Sequence, residues 1–485
     1  MAEPAPSRNI KSMPSNWRLL EPDPGSRKHA IKIKMTSPES ASQRKSILTS
    51  AARALSEATG LLRAPQRAIP LFSRLASDQL RTTVSHRHLY SYASTTVPTE
   101  NALRSLIEWI LQAQKADGGI AAYYSLLTGY SNSYPEVTGY IIPTLYDFAR
   151  NPESATGTQT AGEINSSAEK AREAADRATH WLYSLQLPTG AFPGGLHGQA
   201  VKPSPSIFNT GQILQGLVRA HIETGSAESL KRAVAVGDWL AAIQLPDGSW
   251  SGEAAYQGTP HTYYSMVSWA LAQLAAVTRN PQHSAAADKN IDWVLEQVKP
   301  SGWFDGINLR SHPTYLHFVA YVIQGTLESG ILHQRTDAVQ AAAKAAWVLL
   351  RKFETHKRLA GTYEPDFTSG QQFACLTGNA QMSCIWLRLF EITGDPRYLN
   401  AALKMNELLK QTLPSKSRRP RAIEGVIGGV AGSSPIWGAY QPMRFISWGN
   451  KFMADALMLE QRLTRQFEKK FEQELPARPE ASECA

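Results

Sequence analysis

The stretch QLPDGSWSGEAAYQGTPHTYYSMVSWAL, residues 244–271, holds the plan of the whole chain. A helix runs out at Gln244, a Pro-Asp-Gly turn reverses the chain, and Trp250 fills the corner. A polar loop follows, and an apolar helix opens on His261, Tyr263 and Tyr264. The pattern recurs as LQAQKADGG at 111–119, SLQLPTGAF at 184–192 and EQVKPSGWF at 296–304, and more loosely as HKRLAGTY at 356–363. Turns set roughly 55–70 residues apart mark a repeat of helix pairs.

Outward from these turns, apolar residues at spacings of three and four predict twelve helices. They cover 101–115, 137–150, 166–186, 206–224, 227–244, 262–278, 284–297, 313–329, 336–353, 377–393, 396–411 and 448–466. Links from even helices to the next odd one are mostly short turns such as ETGD and TRNP, with the polar loop 151–163 as the exception. Links from odd to even helices are longer and carry Gly, Trp, Tyr and His. Six hairpins with this asymmetry close into an all-α (α/α)6 toroid over 96–467, odd helices outside and even helices inside. The smaller, less charged even helices suit a buried inner ring.

The net charge of +9 lies wholly in residues 1–95, which hold 15 Lys/Arg against 6 Asp/Glu, while the remainder balances. That segment is read as a largely disordered basic extension with one amphipathic helix near 44–63, and 468–485 as a polar tail. The basic extension makes a peripheral contact with an anionic membrane surface an open expectation. A neutral body argues against nucleic acid as a partner. No apolar run is long enough for a transmembrane helix, no secretory leader is legible, and three cysteines make no disulfide framework, so a cytoplasmic setting is expected.

In a toroid of this kind the long loops gather at one mouth, beside the N-termini of the inner helices. The residues there define the candidate site. Glu136, Asn209, His261, Tyr264 and His317 are the expected catalytic groups. Tyr124, Tyr134, Gln212, Tyr263, His312, Tyr315, Asp366, Asn379, Gln381, Arg444, Trp448 and Asn450 are the expected substrate contacts. His261 and Tyr264, three apart, are expected on one helix face, pointing into the mouth. Tyr264 is expected to ionise more easily through a cation such as Arg310 or Arg444. No zinc, Walker or dinucleotide motif occurs, so neither metal nor cofactor is expected.

The Gln-x3-Gly-x-Trp turn at 244–250 resembles the QW turn of squalene-cyclase and prenyltransferase toroids, although no Asp-rich DxDD motif accompanies it. The segments 117–145, 208–217, 375–395 and 448–457 resemble a bacterial six-hairpin family found near exopolysaccharide and capsule genes. Met266 stands where that family carries Arg. The resemblance implies a carbohydrate-active enzyme working on a polysaccharide or its oligosaccharide precursors. Uronate lyase or C5-epimerase chemistry needs a base beside an acidic carbon, which His and Tyr at the mouth supply. A glycoside hydrolase would instead pair two of Glu136, Glu253, Asp305 and Asp366. A non-catalytic ring that binds glycan, or that docks on membrane-associated polysaccharide-synthesis machinery with the basic N-terminal segment as tether, and a terpenoid-cyclase-like enzyme, are the other readings.

Overall fold

The computed structural model describes residues 97–151, 161–199, 203–307, 313–371, 373–414 and 425–474. The expected basic extension, its amphipathic helix, Arg310 and His312 lie outside the described residues. Twelve α-helices are described, in chain order α1 (Thr99–Ala113), α2 (Pro135–Arg150), α3 (Ala161–Tyr183), α4 (Ile207–Thr224), α5 (Ala227–Ala242) and α6 (Ser265–Thr278). They continue as α7 (Pro281–Glu296), α8 (Leu316–Leu332), α9 (Thr336–His356), α10 (Leu376–Thr393), α11 (Pro396–Thr412) and α12 (Ser447–Glu474). The even helices pack in succession and α12 returns to α2, closing an inner ring, while each even helix is backed by an odd one. The expected (α/α)6 toroid is the observed fold. One boundary differs: α12 runs on to Glu474, past the expected tail boundary, through Glu, Lys and Gln residues of high helix propensity.

The recurring Gln turns explain how neighbouring outer helices are spaced. Gln114 Nε2 donates to the carbonyls of Gly118 and Ala174, Gln186 Nε2 to those of Gly190 and Arg232, and Gln244 Nε2 to those of Gly248 and Ala286. Each glutamine thus ties its own turn to the next outer helix. Gly248 sits at φ 87°, and a Cβ there would meet Lys289 O at 2.1 Å, so the turn tolerates only glycine. Trp250, fully buried as expected, donates from Nε1 to Leu240 O at 2.9 Å. The fourth turn keeps the glycine and a buried Trp303, but Gln297 bonds back to Trp293 O in its own helix.

The short turns at the opposite end repeat another device. Thr224, Thr278 and Thr393 each accept a hydrogen bond from the backbone two residues on, across a left-handed Gly225, Arg279 or Gly394. Ser226, Asn280 and Asp395 then cap the following helix. The inner helices approach closely at glycines: a Cβ on Gly139 would lie 2.5 Å from Ile213 Cα, and one on Gly325 would lie 2.4 Å from the Ser265 carbonyl carbon. Chain closure uses backbone pairing as well. Strand β1 (Tyr123–Ser125) pairs antiparallel with β2 (Gly129–Tyr130) and with β3 (Arg444–Ile446).

Beyond their midpoints the inner helices fill the ring with paired charges. Arg219 bonds Asp147 and Glu223, Arg150 bonds Glu223, and Arg388 bonds both Glu328 and Glu391. Arg462 adds a second contact to Glu391; Lys451, in the second turn of α12 and so nearer the mouth than this layer, bonds Asp455, which also accepts from Thr144. This layer sits at the end of the ring remote from the long loops. Among the described residues no helix is long and apolar enough to cross a membrane.

Candidate active site

The long loops and the first turns of the inner helices enclose a cavity of about 480 Å³. Its walls are aromatic: Tyr134, Tyr140, Phe208, Tyr263, Tyr264, Phe318, Tyr321, Tyr440 and Trp448. Among them sit three polar side chains anticipated from the sequence, Glu136 on α2, Asn209 on α4 and His317 on α8. Each lies in the first turn of its helix, where the loop-to-helix transition aims side chains at the mouth.

Glu136 is 8% exposed, and its Oε2 accepts a hydrogen bond from Tyr134 Oη at 2.5 Å. Burial pushes its carboxyl up to about 7, only partly opposed by the tyrosine hydroxyl. The same burial, with the neighbouring Glu136 charge, drives the Tyr134 phenol well above its usual range. His317 is pushed the other way, down to about 4, because burial disfavours its cation. Its Nδ1 lies 2.6 Å from Gln381 Oε1, an acceptor, so Nδ1 carries the proton. Nε2 then holds a lone pair and has no hydrogen-bond partner among the described residues. The Tyr321 ring centroid lies 4.2 Å from that of His317, and burial, with the Glu136 charge, drives its phenol well above the usual range. Asn209 is buried beside Tyr134, whose phenol its amide acts to lower, while Nδ2 makes no hydrogen bond of good geometry.

Several expected site residues are employed elsewhere. His261 does not line the cavity: Nε2 bonds Tyr256 O at 2.9 Å, and the ring stacks on Tyr263 at 4.9 Å. Tyr264 lines the cavity, but its hydroxyl accepts from Tyr256 N–H at 2.9 Å. Burial raises its phenol to about 12, opposite to the expected easier ionisation. Arg444 supplies no cation to it, lying 4.2 Å over the Tyr123 ring and donating to Gln441. The two residues also do not share an α-helical face: His261 is extended, Thr262–Tyr264 form a 3-10 turn, and α6 begins only at Ser265.

Other expected contacts prove to be structural supports. Tyr124 is buried edge-on against Tyr130, and Tyr315 donates to Ala439 O. Asn450 bridges Val430 N, Gly428 O and Leu106 O. Gln212 accepts from Gln215, Asn379 is fully buried within α10, and exposed Asp366 accepts from Ser301. None of these six lines the cavity. Gln381 reaches it only through His317, whereas Trp448 lines the wall and donates to Tyr440 Oη at 2.9 Å. Of the four carboxylates weighed for a paired mechanism, Glu253 joins Glu136 in the lining, while Asp305 is paired with Lys299. Sequence reasoning passed over Tyr140 and Tyr321, although each lies four residues beyond Glu136 or His317 on the same helix face. Among the described residues no cluster suited to a metal ion occurs.

Comparison with known proteins places this geometry. The family model described as squalene-hopene cyclase C-terminal domain matches residues 90–323, just under half of the chain. No curated protein matches in sequence. Among solved structures, cellobiose 2-epimerase from Spirochaeta thermophila is 18% identical and superposes with a TM-score of 0.57 over 77% of this chain and 100% of that one. The unsaturated glucuronyl hydrolase of Bacillus sp. GL1, described as responsible for the degradation of glycosaminoglycan, gives 15%, 0.56, 76% and 97%. Cellobiose 2-epimerase from Bacillus thermoamylovorans gives 13%, 0.54, 74% and 98%. At such identities the likeness is one of fold. The chain is an (α/α)6 toroid, an architecture it shares with saccharide hydrolases and epimerases.

Proposed function

We propose that the chain is a carbohydrate-active enzyme that moves protons on a saccharide held in the mouth cavity, with lyase or epimerase outcome. The carrying observation is the pairing of opposite perturbations: Glu136 is held protonated up to about 7, and His317 is held neutral down to about 4. An acid and a base ready at the same pH are what concerted proton transfer requires. In epimerisation His317 Nε2 removes the carbon-bound proton from one face and Glu136 returns one to the other. In β-elimination the same C–H bond breaks, its electron pair forms the C=C bond, and the C–O bond to the leaving sugar breaks. Glu136 then protonates that oxygen, ending as a carboxylate, and His317 passes its proton to water. Asn209 Nδ2 is the donor for the oxygen on which charge collects. The aromatic walls suit the apolar faces of sugar rings.

Terpenoid cyclisation protonates an alkene with an Asp-rich acid, and the sequence carries no DxDD motif to supply one. A hydrolase in which Glu253 joins Glu136 is the second reading, favoured by the presence of both in the lining. Incubation with neutral and acidic oligosaccharides in D₂O separates them. Proton transfer at carbon predicts deuterium incorporation by NMR, or the ultraviolet absorbance of an unsaturated uronate, and hydrolysis predicts new reducing ends without C–D bonds. Turnover should fall as pH rises through about 7, where Glu136 loses its proton, and as it falls through about 4, where His317 gains one. Reducing ends without carbon exchange would overturn the proton-transfer mechanism.

A further inference from the structure

The loop 251–260 at the rim of the cavity carries no assigned role. It folds back on itself, with Gly252 N–H donating to Gly258 O and Gly258 N–H to Ala255 O. Three of its residues, Gly252, Gln257 and Gly258, take left-handed backbone conformations. It is also fastened from outside. Ile207 N–H at the start of α4 donates to Ala254 O, Tyr264 Oη accepts from Tyr256 N–H, and His261 Nε2 holds Tyr256 O. Tyr256 is therefore gripped at both backbone groups by buried side chains.

Its own side chain is engaged only at one edge, with its ring centroid 6.1 Å from that of His261. Tyr256 is 42% exposed, one of four large hydrophobic side chains so exposed among the described residues. Ile222, Leu245 and Leu332, the other three, do not line the cavity, but Tyr256 does. Exposed Glu253 and Gln257 flank it in the same lining and offer hydrogen-bond acceptors and a donor. An open ring face, held rigidly beside polar side chains at a cavity mouth, matches a sugar ring's apolar face and hydroxyl edge. Rigid fixing in advance keeps the entropic cost of that contact low.

We infer that Tyr256, with Glu253 and Gln257, forms an outer sugar-binding subsite, so that the substrate is an oligosaccharide whose second or later unit stacks on this ring. The inference deepens the proposed function and rests on a saccharide occupying the cavity. The test is calorimetric binding of saccharides of increasing length to the full chain, compared with Tyr256→Ala, Tyr256→Phe and Ile222→Ala. Affinity of the unaltered protein should rise with length. Tyr256→Ala should lose about 3- to 10-fold for the longer saccharides and flatten the length dependence. Tyr256→Phe, which keeps the ring, and Ile222→Ala, remote from the mouth, should retain it. Equal affinity of Tyr256→Ala and the unaltered protein for long saccharides would overturn the subsite, as would no saccharide binding at all. Length-dependent binding without any exchange at carbon would sustain the subsite while removing the proton-transfer chemistry.

Discussion

The two ends of the ring solve the problem of buried polarity in opposite ways. At the remote end every strong charge meets a partner: Arg219 and Arg388 each hold two carboxylates, and Glu223 and Glu391 each serve two arginines. At the mouth the buried groups are kept uncharged instead. Glu136 retains its proton, His317 refuses one, and Asn209 has only its contact with Tyr134, with Nδ2 in no hydrogen bond of good geometry. Satisfied pairs seal and rigidify, whereas neutral, incompletely bonded groups store a demand that a ligand can meet. On the proposed reading, the paired end serves structure and the mouth serves chemistry.

The sharpest way to break this contrast is Glu136→Gln. The amide mimics the protonated carboxyl, so folding should survive while turnover on an active saccharide falls about 10²–10⁴-fold. Stability should move the other way with pH. Between about 4.5 and 7 the folded state binds the Glu136 proton and the unfolded chain does not, so native stability falls as pH rises through that window. Glutamine is free of this penalty, and at pH above 7 the variant should be the more stable by about 3 kcal/mol in urea titrations. A variant that is inactive and less stable at alkaline pH would show that Glu136 is an ordinary buried support.

Trp250→Ala removes a fully buried corner residue from a mouth-side turn and should cost about 3–5 kcal/mol by denaturant unfolding. Arg388→Ala strands Glu328 and leaves Glu391 to Arg462 alone, and a loss of about 3 kcal/mol is expected, recovered in part at low pH where the carboxyls are neutral. Insensitivity to this change would mean that the far end is not held by charge. The smallest effect belongs to Tyr264→Phe, which removes the acceptor of Tyr256 N–H. About 1 kcal/mol of stability and no more than about fivefold in turnover should be lost. A collapse of turnover by a hundredfold or more would return the tyrosine to the reacting centre.

The ring was legible in the sequence because its signals are local. A glutamine, a left-handed glycine and a buried tryptophan fall within seven residues, and apolar periodicity marks every helix between the turns. Glu136, Asn209 and His317 were legible for a related reason, since each opens an inner helix. The pairing of His261 with Tyr264 failed because it assumed an α-helix that begins four residues later, and spacing rules hold only once the helix has begun. Tyr124 and Asn450 misled because aromatic and amide groups brace loops as readily as they bind ligands, and only tertiary partners distinguish the two uses. No residue pattern announced Gln381 as the group that fixes the His317 tautomer, for that contact spans 64 positions of sequence.

The layer of paired charges has one further consequence, for traffic. No member of that layer lines the cavity, whose walls stop at residues such as Tyr140 and Tyr321 in the second helical turn. On the proposed reading, a saccharide then enters and leaves on the loop side, past Tyr256, so chain ends and short fragments should be handled better than the interior of a long polymer.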